Sequence, residues 1–209
     1  MPLRKITNGN GHSWGIWKIQ EDNKFLSQKL NGVGEMPETL TNSKKRSEWL
    51  AGRVLVKMLM EHAGLTFRGI VKNEFGKPFP IESSYQLSLS HSYPYVAAYL
   101  HERESIGIDL EQPKEKLFRI APRILDKEEL ITAGDDINKH CVIWCAKEVL
   151  VKVHGKKDLV FASNLKISPF SMNTSGILTG RIIVNNHHTI VPLYYELESD
   201  FIIVLNKPD

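Results

Sequence analysis

Trp49-Leu-Ala-Gly-Arg-Val-Leu-Val-Lys57 and Trp144-Cys-Ala-Lys-Glu-Val-Leu-Val-Lys152 agree at six of nine positions, at a constant separation of 95 residues. Both space their apolar residues as an amphipathic helix does. The separation is nearly half of the 209-residue chain, so the pair reads as an internal duplication. The matched tryptophan carries most of that inference. Flanking segments extend it. Trp14-Gly-Ile-Trp-Lys-Ile19 and Ile106-Gly-Ile-Asp-Leu-Glu111 are short strand-like runs that would open the two halves. Gln86-Leu-Ser-Leu-Ser-His91 alternates with period two, and at the same separation it falls on residues 181–186. Residues 95–100 fall likewise on residues 190–195. The expected fold class is α+β: two similar halves related by a pseudo-twofold, each a long helix packed on a small, mostly antiparallel sheet. The expected halves are residues 1–103 and 104–209, and a cleft between them is the natural place for a ligand.

Composition bounds the function. The chain is 42% hydrophobic and 24% charged, with 14 Gly and 10 Pro, which excludes collagen and low-complexity linkers. No apolar run reaches the roughly 18 to 20 residues that span a bilayer. The opening MPLRKITNGNGHSWGIW has no apolar h-region, so no secretory signal is expected. Cys141 and Cys145 cannot build a disulfide framework, and a reducing, cytoplasmic setting is expected. A net charge of +3 is too mild for a duplex nucleic-acid partner. Its distribution is uneven. Residues 1–103 hold 14 Lys and Arg against 9 Asp and Glu, and the remainder hold 13 against 15. A basic half and an acidic half would suit a polyanion and a metal ion, but taken alone chance variation in surface charge is the preferred reading.

Four constellations could carry chemistry. Asp109 and Glu111 face one side of a strand, with Ile108 and Leu110 on the other. Two carboxylates so placed repel unless a cation lies between them, and Mg²⁺ is suited to such oxygen donors; a solvated strand end is the alternative. Trp144, Glu148 and Lys152 lie one turn apart on a helix, so Glu148 could add a third carboxylate and Lys152 a cation, or the two could form a surface i,i+4 pair. Ser88, Ser90 and His91 close a strand and could bind an anion. Ser90 and His91 point to opposite faces, which disfavours a nucleophilic pair. Arg46 and Arg53 share a helical face, and a turn at Phe75-Gly-Lys77-Pro presents Lys77. Lys44 and Lys45 read as solvated charge at a helix start. His140, Cys141 and Cys145 lack a second pair at zinc spacing and read as core. His187-His188 reads as a turn, and Glu128-Glu129 as acids after Asp126 at a helix start.

Together, Phe75-Gly-Lys-Pro, Leu87-Ser-Leu-Ser-His-Ser92, Ile106-Gly-Ile-Asp-Leu-Glu111 and Trp144-Cys-Ala-Lys-Glu-Val-Leu-Val-Lys152 resemble the 4′-phosphopantetheinyl transferase superfamily, in order and spacing, over roughly residues 14 to 155. The likeness is to its larger, pseudo-dimeric, surfactin-synthetase-activating type. The resemblance implies an enzyme that moves the 4′-phosphopantetheine arm of coenzyme A to a serine of an acyl or peptidyl carrier protein, with Mg²⁺, releasing 3′,5′-ADP. It implies Asp109, Glu111 and Glu148 as metal ligands and Lys152 against the pyrophosphate. Arg53 and His91 would hold the 3′-phosphate, helped by Arg46 and Lys77, and Ser90 would contact the nucleotide phosphates. Glu148, or a water near it, is the candidate base. Two departures stand out: Gly155-Lys-Lys157 where the family often has Gly-x-Gly, and Cys145 where many members have Thr. No membrane or nucleic-acid partner is expected. A monomer is expected, because one chain would supply both sides of the cleft. A coenzyme A or nucleotide-binding protein without transferase activity, or a Mg²⁺-dependent nucleotide phosphohydrolase, are the alternatives.

Overall fold

The computed structural model describes residues 3–207, and the chain divides into two units between Ser105 and Ile106. The first unit opens with β1 (Leu3–Gly9) and β2 (His12–Lys18), turned by Asn10 and Gly11, the latter at φ 70°. Asp22 starts α1 (Asn23–Leu30) by accepting the Phe25 N–H at 2.8 Å. Asn42 does the same for α2 (Ser43–His62), accepting the Lys45 N–H at 3.1 Å. A ribbon of β3 (Ile70–Lys72) and β4 (Pro78–Pro80) follows, then β5 (Gln86–Ser92) and β6 (Tyr95–His101). The main sheet is antiparallel, in the order β1-β2-β6-β5. Leu50, Val54, Leu55 and Leu59 of α2 are buried against Trp17, Leu87, Val96 and Leu100 of the sheet.

The second unit runs β7 (Ile108–Glu111), α3 (Lys116–Ile124), α4 (Lys127–Ala133), α5 (Ile137–His154), α6 (Phe161–Asn164), β8 (Leu165–Ile167), β9 (Ser175–Val184), β10 (His187–Leu197) and β11 (Ile202–Asn206). Its sheet is antiparallel throughout, in the order β7-β11-β10-β9-β8. Asp136 caps the start of α5, and Gly155, left-handed at φ 74°, ends it with its N–H on the Val151 carbonyl. Gly155 thus has a local reason independent of any loop motif. Val142, Cys145, Val149 and Leu150 of α5 join Leu165, Leu178, Leu193, Ile202 and Val204 in one core. The mixed α+β class with antiparallel sheets is therefore seen in both units.

Two sequence expectations need correction. Residues 187 and 188 are not a turn. The hairpin turns at Asn185 and Asn186, both at positive φ, and His187 and His188 begin β10. Consecutive positive φ is what a tight two-residue hairpin requires, and Asn tolerates it. At the separation of 95 residues, residues 181–184 and 190–195 do lie in strands, β9 and β10, but residues 185 and 186 form the turn between them. Around α2 lie β2, β6 and β5, whereas α5 packs against all five strands of its sheet.

Gly107 sets how closely β7 approaches α5. A Cβ there would lie 2.6 Å from the Val149 carbonyl oxygen and 3.2 Å from Cβ of Lys152. The first neighbour is helix backbone, which cannot yield as a flexible side chain can. Gly107→Ala is expected to destabilise the protein by about 1–3 kcal/mol, the usual cost of overpacking. Urea unfolding measures this; a loss under about 0.5 kcal/mol, the range of a neutral surface change, would refute the close approach.

Candidate active site

The acids singled out in the second unit come from two elements. Asp109 lies mid-strand in β7 and is 5% exposed, while Ile108 and Leu110, facing the other way, are fully buried. Glu111 ends the same strand, half-buried. Glu148 and Lys152 project from α5, one turn apart. Lys152 Nζ reaches across to β7, donating to Asp109 Oδ1 at 2.8 Å and to the Ile108 carbonyl at 2.6 Å. Glu148 lies within the field of the same groups. Its carboxyl is raised to about 7, first by burial, then by the charge of Asp109, with Glu111 adding and Lys152 opposing.

Asp109, Glu111 and Glu148 are carboxylates partly withdrawn from water, and Lys152 pairs with the first of them. Donor type and charge fit a hard divalent cation such as Mg²⁺, which takes carboxylate oxygens together with substrate phosphates. Among the described residues, however, no three His, Cys, Asp or Glu side chains are drawn into a ready coordination cluster. Cys141 and Cys145 are buried free thiols in the core, and burial pushes Cys145 well up.

The candidate phosphate-binding residues lie in the first unit, each with a different neighbour. The Arg53 guanidinium stacks 3.5 Å over the Trp49 ring and donates to the Trp49 carbonyl at 3.4 Å. Burial lowers its pKa to about 10, which leaves it charged at neutral pH. His91 is exposed at the end of β5, its Nδ1 3.3 Å from Glu48 Oε2. Ser90 is buried in the same strand. Lys77 donates to Ser105 Oγ at 2.9 Å, and burial lowers its pKa. Arg46 is exposed on α2.

Two residues escaped the sequence reading. Glu48 accepts the Tyr93 N–H at 3.0 Å as well as pairing with His91, tying α2 to the end of β5. Nothing in the sequence signals a contact with backbone 45 residues away. Lys147 is wholly buried, ion-paired with Glu129 at 2.6 Å. Here a signal existed: Lys147 stands four residues after Ile143 and three before Leu150, both buried, so it occupies an apolar helix position. Glu129 does stand in a helix start, as the N3 member of a capping box with Asp126.

The raised Glu148 carboxyl has a stability consequence. Below the unfolded value, near 4.5, both states hold the proton and nothing is lost. As pH rises toward about 7, the unfolded chain releases that proton while the folded one retains it, so stability falls. Glu148→Gln is therefore expected to stabilise chelator-treated protein at pH 8, by at most on the order of 3 kcal/mol, and to change it little at pH 4.5. Thermal unfolding at both pH values checks this; equal effects at the two would contradict the assignment.

Comparison with known proteins converges on the same stretch. Residues 105–203 match the family model of the 4′-phosphopantetheinyl transferase superfamily. A Haemophilus influenzae protein named "Putative 4'-phosphopantetheinyl transferase" is 31% identical over 108 residues, which cover 48% of this chain and 46% of that protein. The chain thus spans less than half of that relative's length. The matched family segment holds Asp109, Glu111, Glu148 and Lys152 together. Over residues 105–203, then, the chain is similar to the 4′-phosphopantetheinyl transferase superfamily, as its motifs suggest.

Proposed function

We propose that this protein transfers the 4′-phosphopantetheine arm of coenzyme A to a serine of an acyl or peptidyl carrier protein, with Mg²⁺, releasing 3′,5′-ADP. The observation that carries the reading is the ion pair between Lys152 on α5 and Asp109 on β7, with Glu148 one turn before Lys152, inside the segment that matches the superfamily. Asp109, Glu111 and Glu148 would hold Mg²⁺, which supplies charge neutralisation for a diphosphate when bound. Lys152 pairs with Asp109 in the structure. It would bear on the pyrophosphate and stabilise charge developing there as the serine oxygen attacks the β-phosphorus. The P–O bond to the 3′,5′-ADP moiety breaks, and the serine proton must leave. Glu148, or a water near it, would accept that proton.

In the first unit, Arg53 and His91 would hold the 3′-phosphate, with Arg46 and Lys77 assisting and Ser90 contacting the nucleotide phosphates. Arg53 fits this role best. Its guanidinium is flattened on Trp49 in a partly desolvated setting, where a phosphate is a strong partner. The duplicated helix supports a pseudo-dimeric chain of the larger type acting as a monomer, and the two buried free thiols are compatible with a cytoplasmic setting.

Incubation with coenzyme A, Mg²⁺ and an apo-carrier protein is expected to add about 340 Da to the carrier, the mass of the arm. Release of 3′,5′-ADP without carrier would indicate a phosphohydrolase, and binding without turnover a coenzyme A-binding protein. Asp109→Ala is expected to lower kcat by at least about 100-fold, and retention of activity would remove Asp109 from the ligand set. Arg53→Ala is expected to raise the KM for coenzyme A by about 10-fold or more, with kcat little changed, as lost ground-state binding does. Steady-state kinetics with varied coenzyme A separates the two effects.

A further inference from the structure

Lys147 directly precedes Glu148 in α5, and its side chain is fully buried. Its Nζ donates to Glu129 Oε2 at 2.6 Å, to the Ile124 carbonyl at 2.8 Å and to the Phe161 carbonyl at 3.3 Å. An ammonium has three hydrogens, and all three are used. Glu129 is 4% exposed and equally well answered. Its Oε1 accepts the Ile167 N–H at 2.8 Å, and its Oε2 accepts the Asp126 N–H at 2.8 Å besides Lys147. Asp126 caps α4 and holds Lys166 Nζ at 2.7 Å. One ion pair therefore ties the end of α3, the start of α4, the start of α6 and β8 to a single point on α5.

Stability alone does not account for such a pair. Withdrawing two charges from water costs several kcal/mol each, and a well-packed apolar pair often does as well or better. Ile143 and Leu150 show that apolar side chains pack on this face of α5. What the ammonium adds is direction. It must meet acceptors on three elements at once, which fixes the rotation of α5 about its axis. Successive helix residues differ by about 100°. With Lys147 aimed at α3, α4 and α6, Glu148 projects on an adjoining flank, one turn before Lys152, whose Nζ reaches Asp109 on β7 at 2.8 Å.

We propose that the buried Lys147–Glu129 pair is a positioning device, setting the rotation of α5 that aims Glu148 at Asp109 and Glu111 so that the three carboxylates can share one divalent cation. The inference rests on the transferase reading and adds to it two residues that act through Glu148 without touching substrate.

The test compares wild type with Lys147→Met/Glu129→Gln, which removes both buried charges, and with Glu129→Gln, which keeps the side-chain shape and one acceptor oxygen. Circular dichroism and thermal unfolding establish which variants fold. Mn²⁺ alone, followed by electron paramagnetic resonance, reads the metal site, and turnover with apo-carrier reads the reaction. The folded variants are expected to bind Mn²⁺ about 10-fold or more weakly, as loss of an outer support of a metal ligand does. Their kcat should fall by a similar factor while the KM for coenzyme A stays within about twofold. Wild-type Mn²⁺ affinity and kcat in whichever variant folds would overturn the proposal. If wild type binds Mn²⁺ and the variants lose it, but no arm is transferred, the positioning role stands and the transferase reading fails. If wild type binds no Mn²⁺, both fall.

Discussion

The approach of β7 to α5 is the constraint on which the chemistry of the second unit depends. Three features set it. Gly107 removes the side chain that would hold strand and helix apart, since a Cβ there would strike the Val149 carbonyl. Lys152 spans the gap, with its ammonium on Asp109 and on the Ile108 carbonyl. Lys147, on another flank of the helix, is gripped by α3, α4 and α6, so α5 cannot roll. The glycine governs distance and the buried lysine governs angle. Together they bring an acid from a helix within the field of two acids on a strand.

That arrangement is locally unfavourable for folding. Burial and like charge push Glu148 upward, which means the folded state disfavours its ionised form. The surrounding core offsets the cost. Val142, Val149, Leu150, Leu193 and Val204 are all fully buried, each worth roughly 1.5–3 kcal/mol relative to exposure. A buried acid with a raised pKa beside a strong apolar core is a pattern common at functional sites, where charge is kept that folding alone would not choose.

The two units place opposite chemistry on similar frameworks. Each sets a long helix on an antiparallel sheet, four-stranded in one and five-stranded in the other. Trp17 fills the core at a strand position roughly matched by Asp109 in the second unit. Arg53, stacked on Trp49, corresponds to Glu148. The matched lysines behave differently as well. Lys57 pairs with Glu61 along its own helix, whereas Lys152 leaves its helix for a strand. The sequence repeat thus carries different side chains, with different partners, at its matched positions.

Much was legible in the chain before folding. The repeated nonapeptide located both long helices, because apolar periodicity and a shared tryptophan are local properties. The Gly-Ile-Asp-Leu-Glu run disclosed a strand with both acids on one face, because side chains alternate along any strand. Strand order was not legible, since pairing depends on contacts between distant segments. Nor was the origin of the pairs at Glu48 and Lys147. The partners of Glu48 lie more than forty residues away in the chain, and Lys147 is answered by two backbone carbonyls and a carboxylate from three separate elements. Local pattern can say which face of an element a residue occupies. Only the packed structure decides what meets that face, because a buried charge is tolerated where distant groups happen to converge and nowhere else.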